Sequence, residues 1–498
     1  MSHKTHMHDN GESYSGIVPA KPSNKSGRPP AETAEGRTLT KENAGQPNPN
    51  WTPSQGTGTS GLDRVREAAR KNGKLRFTAL LHHVTVDLLR GSYFNLKKKA
   101  APGVDGVTWE EYGRDLEAKL IDLHGRIHRG AYRAQPSRRA WIPKSDGRQR
   151  PLGIAALEDK IVQYAVGTVL NQIWEEDFLG FSYGFRPGRS QHDALDALYV
   201  GITRKKVNWV LDLDVRSFFD KVDHDWMVRF VEHRIGDRRI LRLIQKWLKA
   251  GVMEQERWIE TEEGTPQGAV ISPVLANLYL HYVLDLWANQ WRRRNARGDM
   301  IIVRYADDAV LGFQHRDDAV RFLRELQERM GKFGLELHPV KTRLIEFGRY
   351  AAERRKQRGE GCPETFNFLG FTHICGTSRR TGYFTIIRQT ISKRRAAKLM
   401  QINAELKQRL HDPLAETVKW LQSVVRGYFQ YHAVPGNEKS LGQFRSHVLR
   451  LWLRQIRRRS QRSCWTWDRF LERLGGLLPQ VSLVHPYPTE RFDAKYPR

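Results

Sequence analysis

Cysteine is scarce in this chain of 498 residues, and its scarcity limits the kinds of site that the chain can build. The three cysteines, Cys362, Cys375 and Cys464, form no Cys-x-x-Cys pair, and no matched pair of histidines lies near them. Structural zinc sites and disulfide frameworks need closely spaced cysteines or histidines. The sequence therefore predicts reduced thiols and argues against a zinc module or a zinc-dependent endonuclease module.

The chain also has no long uninterrupted apolar run. The stretch 269–291 comes nearest, but Pro273, Asn277, His281 and Asp285 interrupt it, whereas a bilayer span requires roughly 20 consecutive apolar residues. We predict a buried helix that begins at Ser272 and Pro273. The first residues lack the apolar segment of a secretory signal, so we expect a cytoplasmic protein with no membrane association.

Acidic residues are outnumbered. The chain has 55 Asp and Glu residues and 83 Lys and Arg residues, which gives a formal net charge of +28 and a pI near 10.1. Such an excess is typical of proteins that bind a polyanion, and nucleic acid is the first candidate. An ordinary solvated helix face is the alternative for each basic cluster. The candidate contacts are Lys97, Lys98, Lys99, Arg394, Arg395, Arg426, Arg457, Arg458 and Arg459.

Aliphatic periodicity is nearly absent from residues 1–57, which consist mainly of Gly, Ser, Thr, Asn, Pro and Lys and are predicted to be a disordered tail. The remaining length suits several domains. Towards the C-terminus, apolar residues recur at helical spacing in three successive stripes, which predicts a three-helix bundle with a basic exterior. The stripes are Leu399, Ile402, Leu406 and Leu410; Leu414, Val418, Leu421, Val425 and Tyr428; and Leu441, Phe444, Val448 and Leu451.

Two adjacent acids, Asp307 and Asp308, follow Tyr305 and Ala306 between two apolar runs. This pattern predicts a tight hairpin that carries both carboxylates at its tip. An isolated pair of this kind is more often a solvated turn. A metal site would need another acid from elsewhere in the chain.

That acid is found in the run 209–215, where strand-like alternation puts Asp212 and Asp214 on one face and Leu211 and Leu213 on the other. Charges in an apolar strand are rarely left without a partner or a metal. On this pattern alone, either carboxylate could complete the site. Magnesium binds through a few carboxylates together with substrate phosphates, and a pair of ions can activate a 3′-hydroxyl and stabilise pyrophosphate.

Eight segments in chain order, from about residue 100 onward, resemble motifs of the reverse transcriptases encoded by bacterial group II introns, often called maturases. Together they constitute a specific match. They are APGVDGV (101–107), IPK with RPLGI (142–144 and 150–154), SYGFRPG (182–188), DVRSFFD (214–220), GTPQG (264–268), YADD (305–308), GL with KT (334–335 and 341–342), and FLGF (368–371).

The resemblance implies an α+β, right-hand polymerase with an antiparallel palm sheet and a helical C-terminal thumb and maturase bundle. It also implies a member of the type that lacks an endonuclease domain. The C-terminal segment 461–498 is a candidate for DNA binding. The implied domains are a disordered tail (1–57), an N-terminal extension (58–130), fingers (131–205), a palm with part of the fingers (206–375), a thumb or maturase domain (376–460) and a basic appendage (461–498).

The resemblance also assigns roles to residues. The family's acidic strand matches Asp214 rather than Asp212, so the implied catalytic acids are Asp214, Asp307 and Asp308. These three carboxylates and the Leu213 carbonyl would hold two Mg²⁺ ions. Lys341 is implied as a general acid for pyrophosphate, with a solvated lysine as its alternative.

Four further residues are implied contacts of the incoming deoxynucleoside triphosphate. Lys144 and Arg150, on a hairpin, would hold the triphosphate. Phe219 would lie beneath the sugar and exclude a 2′-hydroxyl, although simple core packing would also explain it. Gln267, in a turn fixed by proline and glycine, would contact the sugar or base.

The implied function is RNA-directed DNA synthesis coupled to binding of the parent group II intron RNA, to its splicing, and to retrohoming by target-primed reverse transcription. The partners would be that RNA, a DNA target and deoxynucleoside triphosphates, in the bacterial cytoplasm, with the protein a monomer or a homodimer. Two alternatives stay open. One is a stand-alone reverse transcriptase in DNA repair or phage defence, and the other is an RNA-binding splicing cofactor with an idle polymerase.

Overall fold

A computed structural model describes residues 61–143, 149–254, 257–259, 263–264, 268–378, 381–459 and 465–496, and the side chains of Pro143 and Arg150 fall outside that description. The tail predicted over 1–57 therefore lies outside the described residues. So do two of the predicted nucleotide contacts, Lys144 and Gln267.

The described residues form a mixed α+β structure. The helices are α1 (Gly61–Lys71), α2 (Val86–Asn95), α3 (Trp109–Tyr112), α4 (Leu116–His128), α5 (Leu157–Asp177), α6 (Gln191–Arg204), α7 (His224–Glu232), α8 (Arg238–Leu248), α9 (Ser272–Leu280), α10 (Leu286–Arg294), α11 (Arg316–Gly331), α12 (Ala351–Gln357), α13 (Ser392–Gln408), α14 (Leu414–His432), α15 (Glu438–Arg458), α16 (Trp467–Leu474) and α17 (Pro488–Lys495). The strands are β1 (Ser137–Pro143), β2 (Gln149–Ile154), β3 (Trp209–Asp214), β4 (Val252–Glu254), β5 (Arg257–Ile259), β6 (Met300–Tyr305), β7 (Asp308–Phe313), β8 (Arg343–Glu346), β9 (Phe366–Phe368), β10 (Phe371–Thr377) and β11 (Phe384–Thr390).

The chain divides into two compact units. The first contains residues 1–194, 211–311 and 315–344, and the second contains 195–210, 312–314 and 345–498. The domain boundaries expected from the sequence stay a prediction.

In the first unit, β1 and β2 form an antiparallel hairpin whose last pair is Pro143 with Gln149. The hairpin predicted to carry Arg150 is thereby confirmed. β1 also pairs in parallel with β4, and β4 pairs with β5, so the sheet order is β2-β1-β4-β5. The helix predicted near Ser272 begins at that residue as α9, with Pro273 in its first turn.

A second four-stranded sheet has the order β6-β7-β3-β8. β6 is buried along its whole length. In β3, Leu211 and Leu213 are buried while Asp212 and Asp214 are half-buried, so the predicted alternation is confirmed. The sheet therefore packs its apolar residues inward and keeps two aspartates on the opposite face.

The second unit contains the predicted three-helix bundle, formed by α13, α14 and α15. Its core includes Leu421, Val425, Phe444 and Val448, with the rings of Phe444 and Tyr428 stacked 3.6 Å apart. An antiparallel sheet of order β11-β10-β9 precedes the bundle in the chain. Across the ranges that the structure describes, no helix combines the length and the apolarity needed to cross a bilayer.

Candidate active site

The acidic hairpin is built by β6 and β7, which are joined by only two residues, Ala306 and Asp307. Ala306 has a φ of 57°, a left-handed conformation that such loops normally give to glycine. A Cβ added at Gly184 would lie 2.2 Å from the Ala306 nitrogen. Two backbones therefore touch here, and only glycine at position 184 permits that approach. The predicted tight turn is confirmed.

Asp214 ends the strand next to this hairpin. Backbone hydrogen bonds from Asn208 N–H to the Phe313 carbonyl and from Phe347 N–H to the Asn208 carbonyl tie the start of β3 to the ends of β7 and β8. β3 thus runs antiparallel to both neighbours. The end of β3, with Asp214, accordingly lies beside the Asp308 end of β7.

Lys341 contacts Asp214 directly. Its ammonium lies 2.9 Å from Asp214 Oδ2, and the Asp214 side chain is 28% exposed. Thr342 adds two weaker hydrogen bonds of 3.4 Å, one donated to the Asp214 carbonyl and one accepted from its N–H. The structure therefore brings together two of the predicted catalytic residues, Asp214 and Lys341.

Asp212 occupies a different environment two residues earlier. Burial raises the pKa of the Asp212 carboxyl to about 6, the Arg343 guanidinium opposes that rise, and the charge of Asp214 adds to it. The Arg343 nitrogen lies 4.0 Å from Asp212 Oδ2. Asp212 therefore has a cationic partner of its own, behind the end of the strand.

The carboxylates at this end of the sheet are the candidate ligands of a divalent cation. Within the described ranges, no three or more His, Cys, Asp or Glu side chains are grouped so that they could hold a metal ion. The chemistry of the donors nevertheless fits. Asp214 already accepts a cation, the Lys341 ammonium, and the neighbouring hairpin carries a half-buried Asp307 and an exposed Asp308. Carboxylate oxygens are the ligands that magnesium prefers.

Phe219 follows a strained turn. Ser217 has a φ of 47°, and the ring of half-buried Phe219 lies 5.3 Å from that of Phe218 in an edge-on contact. A Cβ added at Gly264 would lie 2.9 Å from the Phe219 carbonyl, whereas one at Gly268 would lie 2.7 Å from Leu152 Cδ1. The two glycines that flank residues 265–267 thus abut the element that carries Phe219 and the strand that carries Arg150.

The predicted nucleic-acid contacts are spread over both units. Lys97, Lys98, Lys99, Arg394 and Arg426 are exposed. Other members have partners within the protein: Arg395 donates to Gln443, Arg457 to the Trp465 carbonyl and Arg459 to the Asp412 carbonyl.

One group of arginines is concentrated on a single surface. Arg450, Arg454, Arg457 and Arg458 of α15 line a surface cavity together with Leu453 and Trp467. The Arg450 guanidinium lies 5.8 Å from the Trp467 ring centroid. We call this cavity the α15 basic groove. Arg450 and Arg454 belong to the basic exterior that the sequence predicted for the three-helix bundle.

The sequence reasoning also overlooked a buried ion pair behind the hairpin, between Arg304 of β6 and Asp285. Both side chains are fully buried. The available signal was an arginine inside an otherwise apolar strand, together with an acid inside an otherwise apolar helix. Asp285 was read only as an interruption of a hydrophobic run.

An α+β architecture in which an acidic hairpin lies beside a strand ending in aspartate is typical of a right-hand nucleic-acid polymerase. Residues 142–373 match the family model described as Reverse transcriptase (RNA-dependent DNA polymerase). The chain belongs to the reverse transcriptase family and carries an RNA-dependent DNA polymerase domain. Membership implies a divalent-metal-dependent enzyme that uses a template, a primer and deoxynucleoside triphosphates.

Three similar proteins are consistent with membership of the reverse transcriptase family. The chain is 35% identical over 335 residues to Protein YkfC of Escherichia coli K12, covering 59% of this chain and 87% of that protein. It is 34% identical over 231 residues to the Group II intron-encoded protein LtrA of Lactococcus lactis, covering 45% of this chain and 38% of LtrA. A 91 kDa protein in the cob intron of Schizosaccharomyces pombe is 33% identical over 245 residues, covering 47% of this chain and 30% of that protein. The resemblance to group II intron proteins is confirmed, although the chain spans well under half the length of those two intron relatives.

Proposed function

We propose that this chain copies RNA into DNA with two Mg²⁺ ions held by Asp214, Asp307, Asp308 and the Leu213 carbonyl. The observation that carries the proposal is the convergence of Asp214, Lys341 and the acidic hairpin at one end of the sheet. Such ions, when bound, supply charge neutralisation and activation of the primer 3′-hydroxyl. The protein's own part is to hold these oxygens in place and to keep a protonated lysine beside them.

Lys341 has two uses in this arrangement. Its ammonium neutralises Asp214 before substrate arrives, so the carboxylate does not face its acidic neighbours uncompensated. It is also a proton donor within reach of the site, which suits protonation of the leaving pyrophosphate. We assign Lys341 as the general acid.

The substrate pocket is assigned to Lys144, Arg150, Phe219 and Gln267. The close packing of Gly264 on Phe219 and of Gly268 on Leu152 supports this assignment, because Gly264 and Gly268 are near Gln267 in sequence and both contact elements that carry pocket residues. Phe219 would discriminate against a 2′-hydroxyl by steric exclusion.

The nucleic acid would be held mainly through its phosphates. The α15 basic groove supports this part of the proposal, since its four arginines and Trp467 offer charge and an aromatic face on one surface. Lys97, Lys98, Lys99, Arg394, Arg395, Arg426 and Arg459 are the remaining assigned RNA contacts.

The biological RNA is proposed to be the parent group II intron, whose splicing and target-primed retrohoming the protein would assist. The similarity to LtrA, named as an intron-encoded protein, supports this assignment. A stand-alone reverse transcriptase is the second candidate. Its polymerase chemistry would require the same residues.

Primer extension on an RNA template tests the polymerase proposal. The assay compares the wild type with the Asp307→Ala, Asp308→Ala double variant, and an Asp317→Ala variant, changed at an exposed position of α11, serves as the matched control. We expect extension by the wild type and the control only. Extension by the double variant would refute the metal assignment.

Intron binding needs a separate measurement. The protein is titrated with its candidate intron RNA and with a shuffled RNA of equal length and composition at several salt concentrations, because phosphate contacts alone give no sequence preference. A marked preference for the intron, with faster splicing, supports the maturase role. Equal affinity for both RNAs, with extension intact, supports the stand-alone enzyme.

A further inference from the structure

The buried guanidinium of Arg304 makes five hydrogen bonds, which use every donor that the group possesses. Nε and Nη2 bind the two oxygens of Asp285 at 2.7 and 2.6 Å. Nη2 also donates to Ser182 Oγ at 2.6 Å, and Nη1 donates to Asn277 Oδ1 at 3.1 Å. The fifth bond, from Nη1, reaches the carbonyl of Ala306 at 2.8 Å.

The last of these bonds matters most for the site. Ala306 is the first residue of the two-residue turn and carries the left-handed φ of 57°. A non-glycine residue keeps such a conformation only when its surroundings impose it. The Arg304 side chain thus binds the turn at the residue before Asp307, and it does so from the protein interior.

Asn277 extends the same network to the other backbone that touches the turn. Its Nδ2 donates to the Gly184 carbonyl at 2.7 Å, while its Oδ1 accepts from Arg304. The backbone of β6 is bonded to the same segment on both sides of Ser182, through Arg304 N–H to the Phe181 carbonyl and Tyr183 N–H to the Arg304 carbonyl. Gly184, whose backbone touches the turn, is therefore bonded to the same network as Ala306.

The carboxylate that orients Arg304 comes from an unusual place in a helix. Asp285 is the last residue of a π-helical turn, His281–Asp285, between α9 and α10. π-Helical turns are rare and occur frequently at functional sites. This turn presents Asp285 to Arg304, and both side chains are fully buried.

We infer that the Arg304–Asp285 pair is a positioning device for the acidic hairpin, which sets the alignment of Asp307 and Asp308 against Asp214. The inference rests on the proposed function, since it concerns the same metal-binding acids. Arg304 touches none of the proposed metal ligands through its side chain and acts through the Ala306 carbonyl. A lysine could not replace it, because an ammonium has neither the planar fork for Asp285 nor five donors.

The test uses Arg304→Lys in the full chain, with Arg234→Lys as the matched control. Arg234 is another buried arginine, which binds Asp177 and the carbonyls of Gly73 and Leu75, none of them in the hairpin. Two measurements are made on each variant. One is kcat, KM for nucleotide and the Mg²⁺ concentration giving half-maximal extension; the other is hydrogen exchange at the amides of residues 306–308.

For Arg304→Lys we expect kcat to fall and the Mg²⁺ requirement to rise, each by about 10- to 100-fold, as is typical when a group supporting metal ligands is lost. KM for nucleotide and affinity for primer–template should stay close to wild type. Exchange at the hairpin amides should accelerate in Arg304→Lys alone. The inference is overturned if the two lysine variants lose activity equally, or if hairpin exchange is unchanged.

Two milder variants keep the inference testable if Arg304→Lys does not fold. Asp285→Asn keeps the shape of the carboxyl group, and Ser182→Ala removes a single acceptor. Hairpin exchange should accelerate in both, and more in Asp285→Asn, whereas unchanged exchange in both would refute the role. Absence of extension by the wild type would instead refute the proposed function, and the exchange data would still decide this inference.

Discussion

Lys341 Nζ lies 2.9 Å from Asp214 Oδ2, although the two residues are 127 positions apart in the chain. The contact joins a proposed proton donor to a proposed metal ligand. It gives Lys341 both a structural role, charge compensation, and a chemical role, and the two roles can be separated by experiment.

Replacement of Lys341 by alanine and by arginine separates its structural role from its chemical role. Lys341→Ala should lower kcat by about 100-fold, because general acid catalysis contributes gains of that order. Lys341→Arg should restore charge compensation but not proton transfer, because a guanidinium does not give up its proton in proteins, so its kcat in primer extension should stay low. A full recovery of kcat in Lys341→Arg would show that charge alone matters.

The two aspartates of β3 should differ sharply in how much they contribute to primer extension. Asp214→Asn should reduce primer extension by about 1,000-fold, in keeping with the several kcal/mol that metal ligation supplies. Asp212→Asn should retain most activity, because Asp212 pairs with Arg343 behind the strand end. Extension rates at saturating Mg²⁺ check this, and the reverse ranking would transfer the metal role to Asp212.

Sugar discrimination is predicted to depend on Phe219. Phe219→Ala should raise the efficiency of ribonucleotide incorporation relative to deoxynucleotides by about 100-fold, the scale at which a pocket rejects one added hydroxyl. Phe94→Ala, at an aromatic side chain that is 58% exposed, is the control. Single-nucleotide extension with each substrate gives the ratio of kcat/KM values.

The α15 basic groove predicts a salt-dependent contribution to RNA binding. Arg454→Gln with Arg458→Gln should weaken affinity for every RNA sequence and reduce the slope of log K against log salt by about 2, one unit per lost phosphate contact. Arg316→Gln with Arg324→Gln on α11 removes the same charge elsewhere. Equal slopes for the two double variants would show that the groove makes no specific contact.

The environment of the Asp237 carboxyl group predicts that the free energy of unfolding depends on pH. Burial alone would raise the pKa of its carboxyl, but hydrogen bonds from the Arg239 side chain and from the N–H groups of Leu80 and Leu81 lower that pKa to about 2. Since the folded-state pKa lies below the unfolded value near 3.9, this stabilisation is present above about pH 4 and is lost as the pH falls towards 2.

The variant Asp237→Asn tests this relation. It should be less stable than wild type by about 2 kcal/mol at neutral pH, the typical worth of hydrogen bonds to a charged group. The difference should shrink below about pH 4. Urea unfolding over a pH series gives both quantities.

The sequence predicted those parts of the site that local pattern determines. Alternation in β3 and apolar runs around Asp307 identified a strand and a hairpin correctly, since side-chain period and turn length are local properties. The three apolar stripes likewise predicted α13, α14 and α15. In each case the signal lay within about 20 consecutive residues.

What the sequence did not predict depends on residues brought together only by folding. Arg304 meets Asn277 and Asp285 of one helical segment and Ser182 of another part of the chain, and no local pattern indicates that these four side chains converge. The α15 basic groove was predicted only in part, because Trp467 belongs to the next helix and completes the cavity from there.

The π-helical turn His281–Asp285 also limits how the length of this segment can change. A π turn accommodates one residue more than the α-helix around it. Deleting Tyr282, Val283 or Leu284 would remove the extra residue and return the segment to regular α-helix, so the bulge that presents Asp285 to Arg304 would be lost. A single deletion within this turn should therefore disable the polymerase more completely than most substitutions there, even where no residue that touches substrate is removed.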